Sequence, residues 1–372
     1  MRSHYIKKVG ILHRNDVVKT WKKQKQFVFF LFVLVLFVFS TIYDSPKDLD
    51  RYENYTIGSY IANMSYEDIY SYYSSNGYDF IFYLGLGFFA KHQLMPLFMG
   101  LITALYYIAV FKGFNNISGR LTLNSGLMLA GLLCFPSILY VVNISRTIFS
   151  LFFFAVGVNQ WLVKKYKYHL LFFTLSLFTH VGTAIFIGLF YAGVVAFMFL
   201  KNKPSFTGLL ALLLPPFFFV LFRYIFLSVL HNEFMMDLFF DTKYMQYYDA
   251  TGTATLKVSI GAILSIYGEI LLSYVLINLD KKVTFNKVML LVFTTMAAST
   301  LSVNQNLLNR FILVLPIFYS LYFLELFGKF KLCEKTNVSR LNWLTISSCF
   351  SVLFFLLILY QERKSFLPFL FG

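Results

Sequence analysis

Three basic side chains interrupt or border apolar runs where a plain membrane helix would carry none. Arg146 breaks the run 137–157, His180 sits between two apolar stretches in Phe178-Thr179-His180, and Arg310 follows the amide-rich turn Asn304-Gln305-Asn306-Leu307-Leu308-Asn309. Ionisable groups at membrane depth cost several kcal/mol, so each is a functional candidate by default. Clustered guanidinium groups suit pyrophosphate, because each offers a planar fork of donors and stays charged. A His or Asp beside them has the chemistry of a general acid or base. Each also has a plainer reading. An Arg near a helix end can snorkel to the interface, and His180, flanked by Thr179 and Thr183, can simply hydrogen-bond within a bundle. Arg223, inside 217–230 with no polar neighbour, reads as structural. His92, His169 and His231 border loops and read as solvated.

The elements that must position these groups are apolar helices. The 372 residues are 58% hydrophobic and 20% aromatic but 13% charged, with 47 Phe and 26 Tyr. Soluble domains are about 25% charged, so this composition predicts an all-α polytopic integral membrane protein. A basic segment, 1–26, precedes an apolar run at 27–39 with no A-x-A-like cleavage site after Ser40, which predicts a retained first helix. Apolar stretches follow at 94–111, 121–141, 147–163, 168–179, 183–200, 206–230, 258–279, 288–303, 308–327 and 342–360. Most approach the ~20 residues that span a bilayer. The stretch 78–90 is too short and reads as a half-helix or interfacial segment, with a spanning helix as the alternative. The count is therefore about eleven transmembrane helices. No Gly/Ser-rich linker or internal repeat divides the chain, and one membrane domain, 1–372, is the simplest account.

Charge supports an orientation. The segments 1–26, 112–120, 164–167, 201–203, 280–287 and 328–341 hold 22 of the 32 basic residues and 3 of the 17 acids. Under the positive-inside rule these are cytoplasmic. The loops 43–78 and 231–257 then lie outside, on the same side as Arg146, His180 and Arg310. The net charge of +15 thus reports topology and not a nucleic-acid partner. The Tyr-rich stretch 66–78 reads equally as an aromatic belt at the headgroups or a sugar platform. Cys134, Cys333 and Cys349 have no metal-ligand spacing, and no P-loop, HExxH or GxSxG motif occurs. No cofactor and no metal are expected.

Four places resemble the EpsG-like branch of bacterial polysaccharide polymerases, which includes O-antigen polymerases of the Wzy type. Asp48-Leu49-Asp50-Arg51-Tyr52 resembles the family's D-L-x-R-Y pattern after the first helix. Asn143-Ile144-Ser145-Arg146-Thr147-Ile148-Phe149-Ser150 stands where a helix opens with I-R-Q-x-x-A, with Thr147 in place of Gln and Ser150 in place of Ala. Phe178-Thr179-His180 follows the basic turn Lys164-Lys165-Tyr166-Lys167 as the family's F-x-H does. Tyr244 and Arg310 look like its late-loop Tyr and late-helix Arg.

The resemblance implies a GT-C-like glycosyltransferase at the periplasmic face of the bacterial inner membrane. It would move a growing glycan from undecaprenyl pyrophosphate onto an incoming lipid-linked repeat unit, by inverting, metal-independent transfer. Arg146, Arg310 and Arg51 would hold the leaving pyrophosphate. Asp48 or His180 would be the base, with Asp50 the neighbouring acid that could stand in place of Asp48, and Tyr52 and Tyr244 would contact sugar or fix the loops. The partners implied are the lipid-linked donor and acceptor and the bilayer, with a chain-length regulator as a candidate. Another polyprenyl-linked GT-C glycosyltransferase, or a lipid-linked oligosaccharide flippase, remains as the alternative.

Overall fold

The computed structural model describes residues 26, 27, 29–31, 33–38, 41, 63–76, 79–111, 145–230, 270, 273, 274, 277, 278, 282–300 and 305–329. Among them the regular structure is helical, with no strand. The longer helices are α1 (Tyr66–Asn76), α2 (Phe80–Lys91), α3 (Met95–Phe111), α4 (Ser145–Leu162), α5 (Tyr166–Thr179), α6 (Thr183–Leu200), α7 (Pro204–Leu230), α8 (Phe285–Thr300) and α9 (Gln305–Lys329). Most follow the apolar stretches read from sequence, and α6 matches 183–200 at both ends. Among the described residues α6 is the one helix long and apolar enough to cross a membrane by itself; α2 and α3 are shorter apolar helices. The stretches 121–141 and 342–360, and the loop 231–257, lie outside the described residues, as does most of 258–279.

Two compact units divide the chain. The first comprises 1–126, 142–181 and 323–341; the second comprises 127–141, 182–322 and 342–372.

In the first unit α4 and α5 form a tight antiparallel hairpin. The buried residues of α4 recur at Thr147, Ile148, Ser150, Leu151, Phe154, Ala155, Gly157 and Val158, the spacing of one helical face. Four matched pairs set the register. Trp161 lies against Tyr166, the His169 ring meets the Gly157 carbonyl, Phe154 stacks on Phe173 at 5.1 Å, and the Ser176 hydroxyl donates to the Ser150 carbonyl. Gly157 is required by that approach, since a Cβ there would stand 2.5 Å from the Phe173 ring. The turn is a Schellman motif: Lys164 takes φ 60°, its amide donates to Trp161, and the Lys165 amide donates to Gln160.

His169 is a correction to the sequence reading. It is 1% exposed, because α5 begins three residues earlier and turns the ring onto α4. Its neighbours Lys167 and Tyr168 are exposed, which is why the segment resembled a solvated border.

Helix α3 runs parallel to α4. Phe98 near its start packs on Phe149 near the start of α4, and the Asn159 amide near the end of α4 meets the Ala109 carbonyl near the end of α3. Helix α2 lies across the starting end of both. Phe82 and Phe89 both pack on Phe98, and a Cβ at Gly85 would touch the same ring. A second Schellman turn at Gln93 (φ 56°) joins α2 to α3. Helix α1 packs on α2, its start closed by a capping box between Ser65 and Asp68.

In the second unit α8 is the central helix, buried on nearly every face from Lys287 to Thr300. Helix α6 packs antiparallel to it: Phe197 lies on Phe285, Gly193 on Met289, and Leu200 on Val283 and Val288. Phe293 stacks on Phe318 of α9, and Phe311 packs on Phe186. Lys287, assigned by sequence to a cytoplasmic loop, sits in the first turn of α8 and is 3% exposed.

Candidate functional site: an arginine–aspartate–histidine cluster

The α4–α5 register carries beyond the Ser150–Ser176 pair to the open end of the hairpin. One further turn back along α4 lies Arg146, and one turn forward from Ser176 lies His180, whose amide donates to the Ser176 carbonyl. The backbone leaves the helix at His180 in an extended conformation. Asp79 arrives from the other direction, as the residue immediately before α2.

These three side chains meet. Arg146 Nη1 donates to Asp79 Oδ2 over 3.0 Å and to the Tyr83 hydroxyl over 3.2 Å, with the guanidinium 5.9 Å from the centre of the Tyr83 ring. Tyr83 sits one turn along α2 from Asp79, so α2 supplies both partners. His180 Nδ1 lies 3.3 Å from Asp79 Oδ1 and 3.4 Å from Oδ2, and the Val181 amide donates to Oδ1 over 3.1 Å. Side-chain exposure is 29% for Arg146, 14% for Asp79 and 11% for His180.

Burial acts to raise the Asp79 carboxyl. The hydrogen bond and charge of His180, the charge of Arg146 and the Val181 amide outweigh it, and the group sits below its ordinary value of 3.8. Asp79 is therefore ionised at neutral pH, and its carboxylate only accepts.

Aromatic packing frames the cluster. Phe178, two residues before His180, packs on Phe80 at 5.1 Å, and Phe80 in turn meets Tyr70 of α1 at 5.7 Å. At the other end of the hairpin lie the exposed Lys164, Lys165 and Lys167. The first unit thus has a basic end and an end where an acid, an arginine and a histidine converge.

Of the residues singled out from sequence, Arg146 and His180 are brought together, through Asp79, an acid the sequence reading did not single out. The signal for Asp79 was its place directly before an apolar run, with no other acid inside 80–111. Arg310 belongs to the second unit, half-buried on α9 beside Phe311. Asp48, Asp50, Arg51, Tyr52 and Tyr244 lie outside the described residues, as do His231 and the side chain of Arg223. Among the described residues no three His, Cys, Asp or Glu side chains gather as a metal-ligand set. Compared with known proteins, the chain matches no family model, no curated protein and no solved structure.

Proposed function

We propose that the chain is a polytopic membrane glycosyltransferase that joins undecaprenyl-pyrophosphate-linked oligosaccharide units, as a polysaccharide polymerase of the O-antigen type. The observation that carries this reading is the meeting of Arg146, Asp79 and His180 at one end of an apolar helical hairpin. A mostly buried carboxylate held between an arginine and a histidine has a desolvation cost that bare packing does not justify.

The membrane setting rests on surface as well as composition. In the first unit α5 exposes Leu170 and Leu171, and in the second α6 and α7 expose Ile185, Val195, Met198, Phe199, Leu212 and Phe217, surfaces that suit lipid far better than water. Lys164, Lys165 and Lys167 mark the cytoplasmic end of the α4–α5 hairpin under the positive-inside rule. The Arg146 end is then periplasmic, where lipid-linked repeat units are polymerised. Because α3 runs parallel to α4, both ends of α2 lie at that same face, and α2 is interfacial and not spanning.

Arg146 is suited to the leaving pyrophosphate, whose negative charge develops as the glycosidic bond breaks. His180 and Asp48 are the candidate bases for the acceptor hydroxyl. By the family resemblance Arg51 and Arg310 are each candidate pyrophosphate ligands, and Asp50, Tyr52 and Tyr244 are candidate contacts of the lipid-linked sugar. The test is in cells. Arg146→Ala and His180→Ala should each abolish the long-chain glycan ladder on a lipopolysaccharide gel while protein levels hold. Unchanged ladders in both variants would sink the assignment.

A further inference from the structure

This inference rests on the function just proposed and concerns Asp79. One carboxylate meets both working groups, with Oδ2 on Arg146 and Oδ1 nearer His180. The Val181 amide anchors Oδ1, so the acid has a second hold that does not depend on Arg146. A carboxylate oxygen on the Arg146 Nη1 occupies a position, and supplies a charge, that a phosphate oxygen would. Because an ionised carboxylate only accepts, the hydrogen in the His180–Asp79 contact belongs to Nδ1. A neutral His180 then carries its lone pair on Nε2.

We propose that Asp79 is a positioning residue: it holds the Arg146 guanidinium where the leaving pyrophosphate will bind, and fixes His180 in the tautomer whose Nε2 takes the acceptor proton. Pyrophosphate, the more highly charged anion, displaces Asp79 from Arg146, and the carboxylate stays on Val181 and His180. Nε2 is buried, so the hydroxyl reaches it once the cluster has parted around substrate. In the step itself the acceptor hydroxyl gives its proton to Nε2. Its oxygen bonds to the anomeric carbon of the donor, and the anomeric C–O bond to pyrophosphate breaks with its electron pair on the leaving oxygen. This ranks His180 ahead of Asp48 as the base.

The experiment uses the full chain in lipid nanodiscs with inorganic pyrophosphate as probe, reading its dose-dependent shift in melting temperature. Cells expressing each variant supply the glycan ladder in parallel. Asp79→Asn keeps the shape and removes a charge that competes with the anion, so pyrophosphate should bind on the order of tenfold more tightly. The ladder should nevertheless be lost, because an amide can donate to Nδ1 and favour the wrong tautomer. Asp79→Glu should bind like the wild type and keep part of the ladder.

A merely structural acid would lose binding and ladder together. An Asp79→Asn protein that binds no more tightly, or one that keeps a full ladder, overturns the proposal. Should Asp79→Asn not fold, Asp79→Glu decides: a partial ladder supports the role and a complete loss overturns it. If Arg146→Ala binds pyrophosphate as well as the wild type, the failure lies instead with the pyrophosphate assignment of the site.

Discussion

Asp79 makes the pH dependence of the first unit a residue-scale question. Its folded value is depressed, so its stabilisation is fully present above the ordinary carboxylate value of 3.8 and is lost as pH falls through the folded one. Asp79→Asn should therefore melt lower than the wild type at neutral pH, by the equivalent of about 1–2 kcal/mol. The gap should close as the pH is taken below the carboxylate range. Melting curves of both proteins in one detergent across that range check this, and a gap that stays constant would contradict it. Asp79 also shows why the site was half legible. Arg146 and His180 stand out because cations are scarce in apolar runs. An acid at the edge of a polar excursion with many acids does not, and its partners lie 67 and 101 positions away. Such pairing is a product of tertiary register, which no local pattern displays.

At the scale of the element, the α4–α5 hairpin depends on Gly157. A methyl group there meets the Phe173 ring at 2.5 Å, so Gly157→Ala should destabilise the protein by about 1–3 kcal/mol through overpacking. Gly157→Ala combined with Phe173→Leu should recover part of that loss, and thermal melts of the four proteins test the coupling. Gly188 on α6 is the contrast, because a Cβ there meets nothing within 4 Å. Gly188→Ala should be neutral or gain up to about 1 kcal/mol from helix propensity. Helix boundaries were largely legible because long apolar runs end at charges or glycines, as α6 does between Gly182 and Lys201. Burial was legible only in part. His169 and Lys287 each sit within one turn of a helix start, where a sequence reads as loop while the fold turns the side chain inward.

For the whole molecule, the parallel course of α3 and α4 makes a topological prediction. Gln93, between α2 and α3, should lie on the same face as Asp79, and Lys165 on the opposite one. In a background lacking Cys134, Cys333 and Cys349, Gln93→Cys should react with a membrane-impermeant maleimide in cells with a permeabilised outer membrane. Lys165→Cys should stay protected until the inner membrane is opened. Labelling in the reverse pattern, or equal labelling at both sites, would contradict the orientation. Sequence left the stretch 78–90 open between interfacial and spanning; its 12 helical residues fall short of the ~20 that span a bilayer, and their packing across Phe98 supports the interfacial reading.

Bond formation at the Arg146–Asp79–His180 end is open to reconstitution. The purified chain in proteoliposomes would receive lipid-linked repeat units extracted from cells of its source that lack the corresponding gene, with glycan length and released undecaprenyl pyrophosphate measured together. The wild type should give longer glycans with one pyrophosphate-lipid released per bond, and Arg146→Ala about a hundredfold less of both. Translocation of the repeat units without any change in glycan length, or equal polymerisation by Arg146→Ala, would contradict it.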